Sequence, residues 1–309
     1  MVIAMEQLTK AYRRKRAVDC LTCRVEPGRV TGFVGPNGAG KTTTMKMLAG
    51  LARPTSGRTL IGGQSYRDQP VPLRAVGIAL ETRAFHRGRT LRAHLQYLSA
   101  SSKFALSRAD EVLELVGLTD VAARRAGTLS LGMAQRLALA TALLGDPAVL
   151  ILDEPMNGLD PAGIVWLRTL LRSLASEGRT VLVSSHLMNE MAVTADHVLI
   201  IGRGRLIADS PVKDLVGRSL RVRTAEPARL AACLTGTATV RPGDDHTFLV
   251  QGCDAPTLSS RAAAAGIELE ELAPVEISLE AAFLKMTSQD IEYDARQVQF
   301  WVPRSGPSG

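Results

Sequence analysis

Residues 35 to 43 read GPNGAGKTT and follow an apolar stretch, Val30 to Val34, with the character of a buried strand. The order is Gly35, then Pro36, Asn37, Gly38 and Ala39, then Gly40, Lys41, Thr42 and Thr43. Glycines let a chain curl so that successive backbone N–H groups converge on an anion. The loop opens onto a helix expected from Thr43 through Leu51, whose N-terminal dipole favours the same anion. Lys41 is placed to reach the β- and γ-phosphates, and the Thr42 hydroxyl to ligate Mg²⁺. Residue types in this order imply a nucleoside triphosphate as ligand.

A second group follows about a hundred residues later. VLILDEP puts Asp153 at the end of a buried strand, with Glu154 next to it. Downstream of a phosphate loop, Asp153 suits the water shell of Mg²⁺, and Glu154 suits a water attacking the γ-phosphate in line. Between the two groups lies TLSLGMAQRLALATALL, residues 128 to 144. Ser130 there reads as an N-cap and Gly132 as a close-approach position at the start of an amphipathic helix. Such a helix start is either an ordinary capped end or a second phosphate contact, and the residues alone do not choose.

Elements that must position these groups are legible from periodicity. Strand-like segments at Ile3 to Leu8, Ala17 to Val25 and Arg58 to Ile61 bracket the loop and suggest an antiparallel sheet. From Thr90 to Leu144 apolar residues recur at helical spacing, as in Leu91, Leu95 and Leu98. Buried strands return at 149–153, 180–186 and 197–202, with a helix from about Ala162 to Ser176 ended by Gly178. Strands alternating with helices imply an α/β fold with a mainly parallel, doubly wound sheet. Beyond Gly217 the order strand (219–224), helix (227–234), strand (237–241), strand (247–251), helix (255–265), strand (267–273), helix (278–286) reads as a small ferredoxin-like α+β domain. Its apolar positions suit a small core, and no phosphate loop or acid pair occurs in it. Residues 287–309, ending WVPRSGPSG, are expected to be disordered at their tip.

Composition excludes several classes. At 46% apolar and 22% charged, the 309-residue chain has the make-up of a soluble globular protein, large enough for two domains. No apolar run approaches the roughly 18 to 20 residues that span a bilayer. The start, MVIAMEQLTKAY, lacks a basic segment followed by an apolar one, so a cytosolic location is expected. Cys20 and Cys23 sit three apart in a strand and point to opposite faces, which suits neither a disulfide nor a metal; Cys233 and Cys253 are isolated. The net charge of +7 suggests an acidic partner. The run Arg13 to Arg16 has only Tyr12 as an aromatic neighbour and reads as a solvated loop, so no nucleic acid is expected.

Taken together, the motifs resemble those of the ATP-binding subunits of ABC transporters over residues 2 to about 215. GPNGAGKTT is similar to the family's Walker A motif, LSLGMAQR to its signature motif, and VLILDEP to its Walker B motif. NGLD (157–160), with Asp160, resembles the D-loop, and His186 in SSH resembles the switch histidine. Tyr12 sits where the family stacks an aromatic on adenine, with Val18 beside it. The resemblance implies a P-loop core with an antiparallel β subdomain and an α-helical subdomain at about 82–145, within an ATP-binding domain of residues 1–217. The segment 218–286 is then an accessory α+β domain. It also implies ATP and Mg²⁺ as cofactors and a head-to-tail dimer, in which Ser130 and Gly132 of one copy face the ATP held by Lys41 of the other. Glu154 and His186 are the expected catalytic residues, and Thr42 and Asp153 the expected metal ligands.

Two positions depart from the family pattern. Leu131 and Met133 stand where many members carry Gly and Gln, and this LSLGM form is similar to drug and antibiotic exporters of the bacitracin-resistance type. Glu81 replaces the glutamine expected after the strand VGIAL, adding negative charge near the metal and triphosphate. The resemblance implies an ATPase that drives a separate membrane permease from the cytoplasmic face of the membrane, in the direction of export. The alternative is a soluble ABC ATPase of ribosomes, DNA or iron–sulfur assembly. Ribosomal members carry two cassettes and DNA members long coiled coils, and neither is present here. A GTPase would need an N/T-K-x-D motif, which is absent.

Overall fold

The computed structural model describes residues 1–13, 15–234, 238–242 and 247–287. Along the first two thirds of the chain run β1 (Ile3–Tyr12), β2 (Lys15–Val25), β3 (Arg29–Val34), β4 (Ser56–Ile61), β5 (Val76–Ala79), β6 (Val149–Leu152), β7 (Thr180–Ser185), β8 (His197–Gly202) and β9 (Arg205–Pro211). Interleaved with them are α1 (Lys41–Leu48), α2 (Pro72–Ala75), α3 (Leu91–Ser101), α4 (Arg108–Leu115), α5 (Leu131–Leu143), α6 (Pro161–Ser176), α7 (Met188–Thr194) and α8 (Val212–Leu215).

Strands that are apolar on both faces must be covered on both faces, which a parallel sheet between helices provides. β6, β7 and β8 are buried along their whole length. They lie in a six-stranded sheet of order β5-β6-β7-β3-β8-β9. All pairs are parallel except β8 with β9. β9 was not anticipated, because RLIADSP is half-exposed and its apolar residues do not alternate. β1, β2 and β4 form the expected antiparallel sheet in the order β2-β1-β4.

The register matters most for function. Val34 of β3 pairs with Ser185 of β7, and Leu152 of β6 pairs with Val183 of β7. The chain therefore leaves β3, β6 and β7 at one sheet edge, the carboxyl end where doubly wound sheets hold their ligands. α3, α4 and α5 form the helical subdomain, with Leu91, Leu95, Val112, Leu113 and Leu137 in one core with the sheet strands.

The accessory region contains β10 (Gly217–Arg223), α9 (Pro227–Leu234), β11 (Thr239–Pro242), β12 (Thr247–Gln251), α10 (Ala255–Ala264) and β13 (Glu271–Ile277), followed by α11 (Leu279–Thr287). Its sheet is antiparallel in the order β11-β12-β10-β13, a ferredoxin-like βαββαβ arrangement with its own small core around Val222, Leu230 and Val250. The strand expected at 267–273 lies instead at Glu271–Ile277. Gly266 takes a left-handed φ of +66° that ends the α10 region, and Ile267 packs into the core from a loop, imitating strand alternation. α11 also differs from expectation. Leu279 and Phe283 join the core of the ATP-binding domain, and α11 packs against α7, α8 and β9. The residues expected to form a disordered tail lie, from Ser288 on, outside the described residues.

All four cysteines are free, Cys20 exposed and Cys23 buried, as opposite strand faces require. Burial pushes the Cys23 thiol up to about 12, which leaves it an inert core residue. Among the described residues no helix is long and apolar enough to cross a membrane, and no cluster of three or more His, Cys, Asp or Glu is arranged to hold a metal.

Candidate active site

The loop after β3 has the geometry of an anion cradle. Gly40 adopts φ +105°, and a Cβ there would stand 2.4 Å from the Ala17 carbonyl oxygen. Gly35 passes equally close to β8, with a Cβ position 2.4 Å from the Ile201 oxygen. No side chain fits at either point, so glycine is demanded by backbone contact. The Gly204 N–H donates to the Ala39 carbonyl at 3.0 Å, which pins the loop to the β8–β9 turn.

Lys41 opens α1 and is 7% exposed. Its Nζ donates to the carbonyls of Gly35 (2.6 Å) and Pro36 (3.3 Å), so it curls over the mouth of the loop. Burial lowers its pKa, while the charges of Glu154 and Asp153 act in the opposite direction. A buried ammonium facing a ring of N–H groups lacks a counter-ion, and a phosphate would supply one.

An open cleft of about 330 Å³ lies over this loop. Ala17, Pro36, Asn37, Gly38, Gly40, Lys41, Thr42 and Thr43 line one side, and Glu154, Asn157 and His186 the other. Glu154 Oε2 lies 2.8 Å from His186 Nδ1 and also accepts the His186 backbone N–H at 3.3 Å. Glu154 takes a left-handed φ of +51°, uncommon for a side chain of its size and found where neighbours over-determine the backbone.

What holds it is Ser184, a residue the sequence reading passed over. Ser184 is fully buried on β7; its Oγ accepts the Glu154 N–H at 2.9 Å and donates to Asp153 Oδ1. The Asp153 N–H in turn donates to the Ala79 carbonyl on β5 at 2.8 Å. The signal was present in the spacing. Ser184 stands two residues before His186, hence on the same strand face, and one after Val183, which pairs with Leu152.

Other expected site residues lie elsewhere. Val18 is wholly buried and would touch a Cβ on Gly40 at 3.3 Å, so it supports the loop from beneath; Ala17 takes the cleft-lining place. Tyr12 is 51% exposed and outside the cleft lining, with Lys10 Nζ 4.9 Å from its ring centre. Glu81 is also outside the lining. It is exposed and 3.9 Å from Lys46 Nζ on α1, a solvated pair worth little energy but one that balances its charge. Asp160 accepts the Gly163 N–H at 2.9 Å and caps α6, so its carboxylate is committed to a helix end.

Ser130 caps α5 by accepting the Met133 N–H at 3.2 Å and is exposed. A Cβ on Gly132 would lie 2.9 Å from the Gly158 oxygen, so the start of α5 packs on the 157–160 loop of the same chain. Ser130 and Gly132 are thus brought together with that loop and kept out of the cleft that holds Lys41.

A phosphate cradle at the carboxyl end of a parallel sheet, faced by an acid and a histidine from the next two strands, defines a P-loop ATPase of the ATP-binding-cassette class. The chain belongs to the ABC transporter family of ATP-binding subunits: residues 18–157 match the family model described as ABC transporter. Residues 218–280 match a model described as a domain of unknown function (DUF8746). The bacitracin transport ATP-binding protein BcrA of Bacillus licheniformis is 43% identical over 71% of this chain and 72% of its own. The uncharacterized ABC transporter ATP-binding protein YhcH of Bacillus subtilis is 36% identical over 94% of this chain and 97% of its own, so its likeness extends through the accessory region. Among solved structures, an ATP-binding subunit of an ABC transporter superposes with TM-score 0.64 at 26% identity, covering 70% of this chain and 92% of that one. The protein is therefore an ATPase that binds ATP and ADP, as cassettes of this family do, and the family reading made from the motifs holds.

Proposed function

We propose that the protein hydrolyses ATP in a head-to-tail dimer and so drives a separate membrane permease that exports an antibiotic, drug or other hydrophobic compound. The observation that carries the chemistry is the Glu154–His186 pair, 2.8 Å apart and facing the Lys41 loop across one cleft. The export reading draws on relatives named for bacitracin and lantibiotic transport.

Gly35 through Thr43 hold the triphosphate through backbone N–H groups, and Lys41 exchanges its two carbonyl contacts for phosphate oxygens. Glu154 orients a water for in-line attack, and His186 holds the carboxylate in place. Asp153 and Thr42 supply hard oxygen ligands, and two protein ligands plus phosphate oxygens is the pattern Mg²⁺ favours. The absence of any three-ligand cluster among the described residues fits a metal that enters with its nucleotide. When bound, Mg²⁺ neutralises charge on the phosphates.

Ser130 and Gly132 act on the nucleotide of the second copy, which accounts for an exposed helix start turned away from its own cleft. Tyr12, at the rim, stacks on the base. The ATP-binding domain is residues 1–217, and the accessory domain steadies the dimer. The protein works at the cytoplasmic face of the membrane, on the permease through the surface around Glu81 to Leu98.

Glu154→Gln tests the reading. The variant is expected to keep ATP affinity within a few-fold, to lose at least 100-fold in turnover, and to accumulate as a dimer with ATP. Near-normal turnover, or a monomer by size-exclusion chromatography with ATP present, would sink it.

A further inference from the structure

The helical subdomain carries a basic ribbon that the ATP chemistry does not use. Residues 82–109 contain Arg83, Arg87, Arg89, Arg92, Lys103 and Arg108 and no Asp or Glu; residues 121–145 contain Arg124, Arg125 and Arg136 and again no acid. The fold lays these two segments side by side. The Ala126 N–H donates to the Arg89 carbonyl and the Gly127 N–H to the Arg87 carbonyl, each at 2.9 Å, and the Leu91 N–H donates to the Arg124 carbonyl at 3.2 Å. Thr90 and Arg125 form an isolated antiparallel bridge.

Arg87, Arg124 and Arg125 are exposed on this ribbon, with exposed Arg83 on the approach to it. None of the four forms an ion pair among the described residues; Arg124 makes only a 3.5 Å contact to the Thr128 carbonyl. Arg92, beside them, is already neutralised by Asp110 at 2.6 Å. α3 starts on the ribbon with no acid in its first turn, so its dipole adds to the positive field. Arg89 lies 3.9 Å from the centre of the Tyr97 ring, and Tyr97 is 55% exposed.

We infer that this ribbon is a contact for the headgroup phosphates of anionic lipids, giving the ATPase its own affinity for the membrane surface in addition to its permease. The inference rests on the peripheral-membrane reading above. Arginine forks suit phosphodiester oxygens, and a tyrosine with one polar end suits the headgroup level. Single-stranded nucleic acid is a poorer fit, because base stacking needs an open aromatic face and Arg89 already covers one face of Tyr97.

The test is co-sedimentation of the full-length protein with phosphatidylglycerol–phosphatidylcholine vesicles, against pure phosphatidylcholine, at low salt. Each basic residue near an anionic surface adds about fivefold to binding, so Arg87→Gln/Arg124→Gln/Arg125→Gln should lose about 100-fold in partitioning. Arg24→Gln/Arg53→Gln/Lys213→Gln, which removes the same net charge from exposed sites elsewhere, should lose less than tenfold. Both variants should keep wild-type basal ATPase, which establishes that they fold. Equal losses in the two variants, no binding of the wild type to anionic vesicles, or Arg-dependent binding to polyuridylate without vesicle binding would each overturn the inference. If the wild type ignores vesicles yet is recovered from membranes in complex with its permease, the lipid contact falls and the transport reading stands.

Discussion

Ser184→Ala probes how the site is assembled. The Ser184 hydroxyl joins two strand ends, accepting the Glu154 N–H at 2.9 Å and donating to the Asp153 carboxylate. Removing it deletes a hydrogen bond to a charged group, worth about 1.5 to 3 kcal/mol, and strands a backbone N–H at a cost of about 1 to 3 kcal/mol. Asp153 and Glu154 are only half-buried, so water recovers part of both. The lower ends then apply, and the expected loss is about 2 to 3 kcal/mol, read from the shift of the urea midpoint at constant m-value. Glu154 gains a second freedom, because its left-handed backbone has lost one of the contacts that impose it. Turnover should fall at least tenfold while KM for ATP stays within about threefold, since the cradle from Gly35 to Lys41 stands on a different strand and helix. A stability change under about 0.5 kcal/mol with normal turnover would refute the account. A KM that rises while turnover holds would show that Ser184 shapes the cradle and not the attacking side.

Ser130→Arg should bind ATP yet turn over little, and mixing it with Lys41→Ala subunits should restore activity by rebuilding one composite site per heterodimer; inactive heterodimers would count against sites shared between copies. Phe283→Ala should cost about 3 kcal/mol by calorimetry, because Phe283 is 6% exposed in the core beside α7; a loss near zero would mean α11 is detached in solution. His94 is 5% exposed with neither ring nitrogen bonded, and burial first, then Arg89 and His86, lower its pKa below the usual 6.5. The unfolded chain then binds the extra proton more readily, so stability contributed above pH 6.5 is lost as pH falls through the folded value. His94→Phe should flatten Tm between pH 7 and 5, and an unchanged slope would place the acid sensitivity elsewhere.

Much of this protein could be read along the chain, for a definite reason. Phosphate binding by a loop is local chemistry: Gly35, Gly40, Lys41 and Thr42 act within one turn, so their spacing carries their geometry. Strands buried on both faces, such as VLIL and HVLIIG, announce a parallel sheet by having no polar side. The ferredoxin-like pattern of the accessory region could be read from the same alternations, apart from the strand that Ile267 and Leu269 imitated ahead of Glu271–Ile277.

Tertiary structure decided whatever depends on two segments meeting. That Ser184 ties Asp153 to Glu154 follows from the register of β6 on β7, which no single segment encodes. Val18 and Ala17 are neighbours in β2, and only the packing of Gly40 against Ala17 and Val18 tells which one faces the cleft. Asp160 looks available in NGLD, yet the start of α6 claims its carboxylate. α11 follows the accessory sheet in sequence, but its Leu279 and Phe283 are buried by α7, α8 and β9, nearly a hundred residues earlier. Arg87 and Arg125 lie far apart along the chain and form one charged ribbon only after their backbones pair. Side-chain type states what a residue can do. Long-range backbone pairing and burial decide which of those capacities remain free.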